Sequence, residues 1–380
     1  MSHLVHGMGL EPVAPDWSPI VATELIDPLT QLGHELASVA PASNVRVLWR
    51  SPRPMSAAAL VRVNETSLFV KRHHVRVRTR ARLELEHRFG DHLRTHGVAT
   101  PACRRDPNGE SVACVDPYLY EFFDVATGQD LYRDVPSWYP YSTPEHARSA
   151  GAALARLHLA AASFDEPASS PAVLLDAVSL VDAEDLSDAL VTLLDARAGL
   201  ARALGPYDLL DDARRILAEP LARTRAATRA LTRQWTHGDW HPSNLTWDPA
   251  RHEVREVLDL GLANRTFALH DLAIAVERAT IDWLDPAKRG FVSVDWASLD
   301  ALLEGYEGVT PLRAADRRAL AATLPVAHVD FALSEVEYFG DVLDDPANRD
   351  LAYRDYLLGH VAFFDTPPGV ALLGRVATPS

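Results

Sequence analysis

Three short polar side chains stand close together in an otherwise apolar stretch, WTHGDWHPSNLTWDPARHEVREVLDLGLANR, residues 235–265. Asp239 follows a His-Gly pair, Asn244 comes five residues later, and Asp259 lies at the end of the apolar run VREVLDLG. An ionised aspartate can orient a hydroxyl group and take its proton. Carboxylate and amide oxygens are ligands that Mg²⁺ prefers. The pattern therefore predicts Asp239 as a catalytic base and Asn244 and Asp259 as metal ligands.

Two charged residues upstream suit the same chemistry. The predicted strand SLFVKRHH carries Lys71, and the predicted helix TRARLELEHRFGDHLRTHG carries Glu86, with Glu84 as a second candidate. Phosphoryl transfer spreads negative charge over three oxygens, so the protein mainly positions and neutralises the reacting groups. Lys71 would offer positive charge to the α- and β-phosphates, and the glutamate would orient Lys71.

The stretch HGDWHPSN, residues 237–244, resembles the catalytic loop of the aminoglycoside phosphotransferase family, which includes choline, homoserine and methylthioribose kinase relatives. The stretches GAALARLHLAA, ELEHRFGDHLRTHGVATP and FALHDLA are similar to that family too, and counting back from Gly97 favours Glu86 over Glu84. The resemblance covers roughly residues 45–280. It implies an α+β, two-lobed protein-kinase-like fold, with a small β-rich lobe followed by a large, mainly helical lobe, and it implies ATP and Mg²⁺ as cofactors.

The loop expected to cover the phosphates, RSPRPMSAAAL, departs from the Gly-x-Gly-x-x-Gly pattern of kinases. Ser51, Ser56 and the neighbouring amides would have to cover the phosphates instead. The adenine is expected against the connector at 119–123, where Glu121 and Phe123 would contact the nucleotide. The metal motif reads Asp-Leu-Gly in place of Asp-Phe-Gly, which alters packing and leaves the ligand unchanged.

Several polar residues around the loop have structural interpretations. His237 and His241 are expected to support the loop, and Asp271 is expected to be a helix cap that also holds it. The alternative is a metal-hydrolase cluster formed by His237, Asp239 and His241. Zinc sites usually need further His or carboxylate ligands in a matching frame, and the sequence meets that frame less well than the kinase one.

An acidic face on a C-terminal helix is a candidate for binding the acceptor. In VDFALSEVEYFGDVLDD, four polar residues share one helix face by their 4-3-4 spacing: Asp330, Ser334, Glu337 and Asp341. In the family, acidic residues on C-terminal helices help to form the pocket for polycationic antibiotics, which implies Glu337 and Asp341 as acceptor contacts. A solvated acidic face is the alternative. We expect a hydroxyl acceptor of the aminoglycoside or sugar-like class; a choline- or homoserine-like acceptor stays open.

A second class of function is a nucleotide-binding pseudokinase that acts as a regulator or scaffold. Such degenerate relatives usually lose one of the four functional positions, whereas Lys71, Asp239, Asn244 and Asp259 are all present. The unusual phosphate loop is the one feature that favours this alternative.

Composition narrows the class of partner. The 380 residues are 47% hydrophobic and 23% charged, and they carry a formal net charge of −15. Nucleic-acid-binding proteins usually present a basic face, so a broad nucleic-acid footprint is not expected. The acidic field suits a small cationic acceptor. The N-terminus shows no signal-peptide pattern and no apolar run approaches membrane-spanning length. We therefore expect a cytoplasmic monomer or homodimer without membrane contact.

The chain divides by its pattern into three parts. Residues 1–44 form an extension with a helix predicted around 22–39, residues 45–123 form the nucleotide-binding lobe, and residues 124–380 form the helical lobe with the catalytic loop and acceptor site.

The two cysteines, Cys103 and Cys114, are predicted to be free thiols, as expected of a cytoplasmic protein. A two-residue turn at Asn108 and Gly109 would place them opposite each other in a hairpin.

Overall fold

The computed structural model describes residues 16–32, 44–51, 55–135, 137–175, 177–284 and 292–378. Their elements form the expected α+β arrangement of two lobes, with a β-rich small lobe first and a helical large lobe second. The cleft between the lobes contains most of the residues discussed below.

The small lobe is built on a five-stranded antiparallel sheet with the strand order β1-β2-β3-β5-β4. Its strands are β1 (Val45–Arg50), β2 (Ala57–Val63), β3 (Thr66–His74), β4 (Ala113–Val115) and β5 (Tyr118–Asp124). The turn between β2 and β3 places Asn64 at φ 51°, a conformation that Asn tolerates better than most residues. Val61, Val63, Leu68 and Val70 point into the core of the lobe and are fully buried, as the alternating pattern predicts.

The segment before the sheet is part of this core. A 3₁₀ turn (Ala22–Leu25) leads into α1 (Ile26–Gln31), and Leu25 and Leu29 are buried among the β-strand side chains. The predicted helix around 22–39 is therefore confirmed up to Gln31, and its remainder lies outside the described residues. The segment also reaches the large lobe, because Trp17 Nε1 donates to the hydroxyl of Tyr338 (3.0 Å).

Helix α2 (Arg80–Thr95) crosses from the sheet toward the large lobe. Its first turn is capped by Thr79, whose side-chain oxygen accepts from the backbone N–H of Arg82 (3.3 Å), the usual device for satisfying an exposed N–H at a helix start. The helix is followed by Gly97 at φ +84°, a left-handed conformation that glycine adopts at low cost.

The large lobe consists mainly of helices, and two of them pack very closely. Helix α3 (Pro144–Ala161) lies against α10 (Trp296–Glu307) at Gly151 and Gly305, where an added Cβ would come within 2.0 Å and 1.9 Å of a backbone oxygen. The helices are α3 (Pro144–Ala161), α4 (Ser179–Asp182), α5 (Leu186–Ala196), α6 (Ala198–Ala203), α7 (Leu209–Asp212), α8 (Ala218–Thr228), α9 (Ala268–Thr280), α10 (Trp296–Glu307), α11 (Ala314–Thr323), α12 (Val329–Glu337), α13 (Pro346–Leu351), α14 (His360–Phe363) and α15 (Pro367–Ala377). Three π-helical stretches adjoin them, Ala213–Leu217, Tyr338–Val342 and Ala352–Gly359.

Short strands and 3₁₀ turns interrupt the helices where the polar motif lies. The strands are β6 (Gln234–Thr236), β7 (Leu245–Asp248), β8 (Glu253–Val257), β9 (Asn264–Thr266), β10 (Ile281–Asp282) and β11 (Ser293–Val294). They pair as β6 with β9, β7 with β8 and β10 with β11. The 3₁₀ turns are Pro242–Asn244, Leu260–Leu262 and Leu324–Val326. The first two of these strand pairs hold the loop with Asp239 and the segment with Asp259 side by side.

One run of helix in the described residues, Ala314–Val342, is long and apolar enough to cross a bilayer by length and composition. In its most apolar window, 94% of the residues are buried inside the protein. A core helix of a large lobe passes the same test.

The cysteines are free, as predicted, but they do not face each other. The backbone N–H of Asp106 donates to the backbone oxygen of Glu110 (2.8 Å), so the loop spans three residues and not two. Cys103 therefore bridges to Phe123, and Cys114 pairs with Leu119.

Candidate active site

A cleft of about 390 Å³ between the lobes gathers every residue predicted to contact nucleotide or metal. The predicted residues along its wall are Ser51, Ser56, Lys71, Glu86, Glu121, Phe123, Asn244 and Asp259. They come from the small-lobe sheet and the segment before β2, from α2, and from the two ends of the β7–β8 hairpin of the large lobe. One cavity of ligand size, lined by polar groups from both lobes, is typical of a small-molecule site.

Lys71 and Asp259 form an ion pair across the cleft, with 2.7 Å between Nζ and Oδ1. Lys71 extends from β3, and Asp259 follows β8 with φ 54° and also accepts from the backbone N–H of Gly261 (3.2 Å). Burial opposes charge on both groups. The pairing outweighs it, so the pKa of Lys71 is raised and that of Asp259 is lowered. Both groups are therefore charged at neutral pH.

Glu86 does not make the predicted contact with Lys71. Its carboxylate accepts instead from Arg82 Nε (2.8 Å), one helical turn earlier on α2. Residues four apart on a helix are neighbours, so Arg82 competes locally for the same carboxylate. Glu86 still lines the cleft, and its charge contributes to raising the pKa of Lys71.

Glu121 lies directly opposite Lys71 in the pairing of β5 with β3. Its buried carboxylate accepts from His73 (3.0 Å) and His87 (2.6 Å). Burial alone would raise the pKa of Glu121, but the two imidazoles hold it well below its usual range. The expected contacts of Glu121 and Phe123 with the nucleotide stay predictions.

Asp239 lies at the end of a tightly turned loop. The preceding Gly238 has φ +78°, and an added Cβ would come within 2.4 Å of the backbone oxygen of Leu262, so only glycine fits there without displacement. Asp239 Oδ2 accepts from Asn244 Nδ2 (2.9 Å), and Oδ1 accepts from Arg278 Nη1 (2.5 Å). Although burial favours the neutral acid, Arg278 and His241 hold the pKa of Asp239 well below its usual value. Asp239 is therefore an ionised acceptor at neutral pH.

The loop backbone is held by Asp271, which is fully buried. Its carboxylate accepts from the N–H groups of His237 (2.7 Å) and Gly238 (2.9 Å) and from His158 Nε2 (3.0 Å). Asp271 is not a helix cap, because α9 begins three residues earlier with Phe267 at the N-cap position. The prediction that it holds the loop agrees with these contacts.

His237 and His241 have structural partners. His237 bonds the backbone oxygen of Leu258 through Nε2 (2.8 Å) and accepts from the N–H of Asp239 (3.1 Å). His241 contacts Ser243 (3.0 Å). The described residues contain no group of three or more His, Cys, Asp or Glu side chains arranged to hold a metal, so the metal-hydrolase alternative gains no support.

The oxygen donors suit Mg²⁺ in combination with phosphates and water. Asn244 directs its amide nitrogen at Asp239, so its amide oxygen is the atom it can offer a cation. The side chain of Asp259 is 42% exposed to the cleft. Mg²⁺ usually keeps several waters and takes only one or two protein carboxylates together with substrate phosphates. Asn244 and Asp259 fit that requirement.

Two residues near Asp239 were not predicted from the sequence. Arg278 is buried on α9, and its guanidinium lies 4.0 Å above the ring of Trp138. It follows Asp271 by seven residues, which places both on one face of the helix, so the spacing could have indicated it. Glu335 is buried on α12, and burial raises its pKa to about 8 although Arg278 opposes the shift.

Glu337 and Asp341, the predicted acceptor contacts, are held in ion pairs. Glu337 accepts from Arg197 Nε (2.8 Å) and is buried, and Asp341 accepts from Arg202 Nε (2.8 Å). Within the described residues, neither lines the cleft. The helix face was correctly grouped, but for Glu337 it is neither solvated nor open to the cleft. Their contact with an acceptor stays a prediction.

Comparison with known proteins agrees with this geometry. A model of the phosphotransferase enzyme family matches residues 56–312. The chain is 28% identical to a homoserine kinase of Methylobacillus flagellatus over 71% of this chain and 73% of that protein.

Solved structures share the two-lobed fold. A microcompartment-associated aminopropanol kinase superposes with a TM-score of 0.54 at 19% identity, covering 93% of this chain and 97% of the other. An ethanolamine kinase of Plasmodium vivax superposes with a TM-score of 0.55 at 12% identity, covering 90% and 86%. At these identities the likeness confirms the protein-kinase-like fold and nothing finer.

Proposed function

This chain belongs to the phosphotransferase enzyme family and is a small-molecule kinase that phosphorylates a hydroxyl group, and we propose that it moves the γ-phosphate of ATP to a hydroxy amino acid such as homoserine. The observation that carries the proposal is the joint position of four residues. Lys71, Asn244 and Asp259 line one cleft, and Asp239 contacts Asn244 at its edge.

Each residue has a role in this reaction. Lys71 binds the phosphates of ATP, and Asn244 and Asp259 would hold Mg²⁺, which when bound neutralises charge on the phosphate oxygens. Asp239 orients the acceptor hydroxyl and takes its proton as the new phosphate ester forms. Asp271 fixes the backbone of the loop so that the Asp239 carboxylate stays in place.

The choice of acceptor departs from the sugar-like class that the sequence favoured. It is supported by the similarity to the homoserine kinase of Methylobacillus flagellatus, which extends over most of both chains. ATP dependence and a cytoplasmic location belong to the same proposal.

The test is ATP consumption by the purified protein with Mg²⁺ across a panel of acceptors. The panel contains homoserine, aminopropanol, ethanolamine, choline and streptomycin, and ³¹P NMR identifies the product. Homoserine should stimulate ADP release most strongly and yield a phosphate monoester. The matched control Asp239→Asn, which keeps the size of the side chain, should lower turnover by about 10²–10⁴-fold.

Two results would contradict the proposal. Equal turnover by Asp239→Asn would remove Asp239 from the mechanism. A thermal shift with ATP but no transfer to any acceptor would favour the pseudokinase alternative, whereas transfer to streptomycin alone would restore the sugar-like class.

A further inference from the structure

The predicted base is occupied on both of its oxygens. Asn244 donates to Oδ2 of Asp239, and Arg278 donates to Oδ1 at 2.5 Å. A carboxylate oxygen can accept a second hydrogen bond, but a guanidinium paired with Oδ1 withdraws negative charge from Asp239 and so weakens it as a proton acceptor. Asn244 is needed beside the metal, so Arg278 is the donor whose displacement would strengthen the base.

Arg278 cannot simply be left without an anion. Its side chain is only 6% exposed, and it packs on the ring of Trp138. Removing one partner of a buried ion pair costs far more than breaking an exposed pair. Whatever displaces Arg278 from Asp239 must therefore supply a replacement negative charge.

A second buried group near this pair lacks a partner. Oε2 of Glu335 is buried and has no hydrogen bond within the described part of the chain, and the same holds for Nε of Arg278. Buried polar atoms are satisfied in most proteins, so each exception needs an explanation. The neighbouring Glu277 lies within ion-pair distance of His328 and His360, 2.6 Å from each.

The helices bring these groups toward one place. His328, at the N-cap of α12, and Glu335 are seven residues apart and share a helix face. His328 contacts Glu277, the residue next to Arg278 on α9. Glu335 is thus carried on the side of α12 that places His328 against Glu277 and against Trp138, the ring on which Arg278 packs.

We propose that Arg278 and Glu335 bind the carboxylate and the ammonium group of the acceptor, and that the acceptor carboxylate draws Arg278 away from Asp239 and so frees the base. This inference rests on the proposed phosphotransferase function. It assigns the acceptor to the zwitterionic hydroxy amino acids.

The charges match such a head group. An α-amino acid carries a carboxylate and an ammonium group on one carbon, and Arg and carboxylate form strong bidentate hydrogen bonds. The exchange keeps Arg278 paired throughout. Burial raises the pKa of Glu335 to about 8, so its carboxyl group is largely protonated at neutral pH when no acceptor is bound. An ammonium group beside it favours the ionised form, and the released proton goes to solvent.

Uncharged alcohols and sugars offer Arg278 no replacement anion. For these acceptors the ion pair of Arg278 with Asp239 persists and Asp239 stays the weaker proton acceptor. The Arg278–Asp239 pair therefore selects acceptors by their charge before any phosphoryl transfer takes place.

The experiment compares three acceptors that differ in one charged group each: homoserine, homoserinol, which lacks the carboxylate, and 4-hydroxybutyrate, which lacks the ammonium group. Sites built around a polar group of the substrate reject analogues without it strongly. The wild-type kcat/KM for homoserine should exceed those for both analogues by about 100-fold or more.

The variants are Arg278→Lys, Arg278→Gln and Glu335→Gln. Both Arg278 variants should lower the ratio of kcat/KM for homoserine to that for homoserinol by about 10–100-fold. Glu335→Gln should lower the ratio of kcat/KM for homoserine to that for 4-hydroxybutyrate. The matched control is Arg317→Lys, which makes the same change at another buried arginine, paired with Glu307 (2.9 Å). This control should leave the ratios of kcat/KM between the acceptors unchanged.

The readout is the ratio between acceptors, which a purely structural role does not change. An equal loss for homoserine and homoserinol in Arg278→Lys would overturn the inference and leave Arg278 as a support for the loop. A wild-type preference for homoserinol would overturn it as well. Absence of transfer from ATP to any of the three acceptors would instead count against the proposed function.

Discussion

The cleft and the catalytic loop each contain one aspartate paired with one basic residue, and the two pairs differ in exposure. Lys71 and Asp259 are 2.7 Å apart, with side chains 14% and 42% exposed. Arg278 and Asp239 are 2.5 Å apart, with side chains 6% and 18% exposed. The chemistry of the pairs is similar, but water reaches the first much more readily.

This difference decides how each pair can open. Lysine carries a compact charge on a flexible stem, and water or phosphates can replace its partner at little cost. Arginine in a buried site needs an anion in a fitting geometry. The Lys71–Asp259 pair can therefore open for polyanions in general, whereas in our proposal the Arg278–Asp239 pair opens only for a molecule that brings its own carboxylate.

The difference between the two ion pairs is tested most strongly by removing the basic residue of each pair in turn. Arg278→Met leaves the Asp239 carboxylate buried without its main partner and should lower the free energy of unfolding by about 3–5 kcal/mol. Lys71→Met leaves Asp259 partly hydrated and should lower it by at most about 1 kcal/mol. Urea denaturation of both variants at pH 7 measures the difference.

Circular dichroism of the two variants before denaturation verifies that both are folded. Equal losses of stability would show that exposure does not separate the two pairs, and the account of their opening would then fail.

The pairs also differ in how far the sequence could predict them. Lys71, Asn244 and Asp259 each lie in a short sequence motif that one reaction requires. The local pattern was therefore sufficient to predict that they line one site. Arg278 and Glu335 lie on helices 39 and 96 residues beyond Asp239. Arg278 follows Asp271 at a helical spacing that the sequence contains, whereas only the tertiary fold brings Glu335 toward this region, and no spacing in the sequence encodes that.

Other differences have local causes. Glu86 pairs with Arg82, which lies four residues earlier on the same helix. This alternative partner was visible in the sequence, because residues four apart on a helix are neighbours. For Glu337, the periodicity gave the correct helix face but could not say whether that face meets solvent or Arg197. The strands and α2 were predictable because alternation and capping are local properties.

Substituting Asp271 tests whether the loop that carries Asp239 is independent of the Lys71–Asp259 pair. Asp271→Asn keeps the shape but loses one of the two carboxylate oxygens that accept from His237 and Gly238. A buried N–H left without an acceptor costs about 1–3 kcal/mol. Stability should fall by that amount, and kcat should fall while the Kd for ATP stays unchanged, because Lys71 and Asp259 lie outside this contact.

Isothermal titration with ATP and steady-state kinetics separate the two effects. A large increase in the Kd for ATP would indicate that the loop and the nucleotide side are coupled, contrary to the comparison.

The smallest expected effect concerns His270, the neighbour of Asp271 on α9. Both residues are fully buried, but Asp271 is held ionised by its donors, whereas burial lowers the pKa of His270 to about 4. The unfolded chain takes up a proton near pH 6.5 and the folded chain does not, so this group makes the protein less stable as the pH falls from 6.5 toward 4.

His270→Gln removes the titrating ring and keeps a donor for the backbone oxygen of Ala327, which His270 Nε2 contacts at 3.0 Å. Between pH 7 and 5.5 the stability advantage of wild type over this variant should shrink by about 1 kcal/mol, measured by urea denaturation at both pH values. Taking the difference between the two proteins cancels the other titrating groups. A constant difference would mean that His270 takes up its proton equally readily in the folded and unfolded chains, and the acid sensitivity of α9 would then have to arise from the ionised groups that hold the loop.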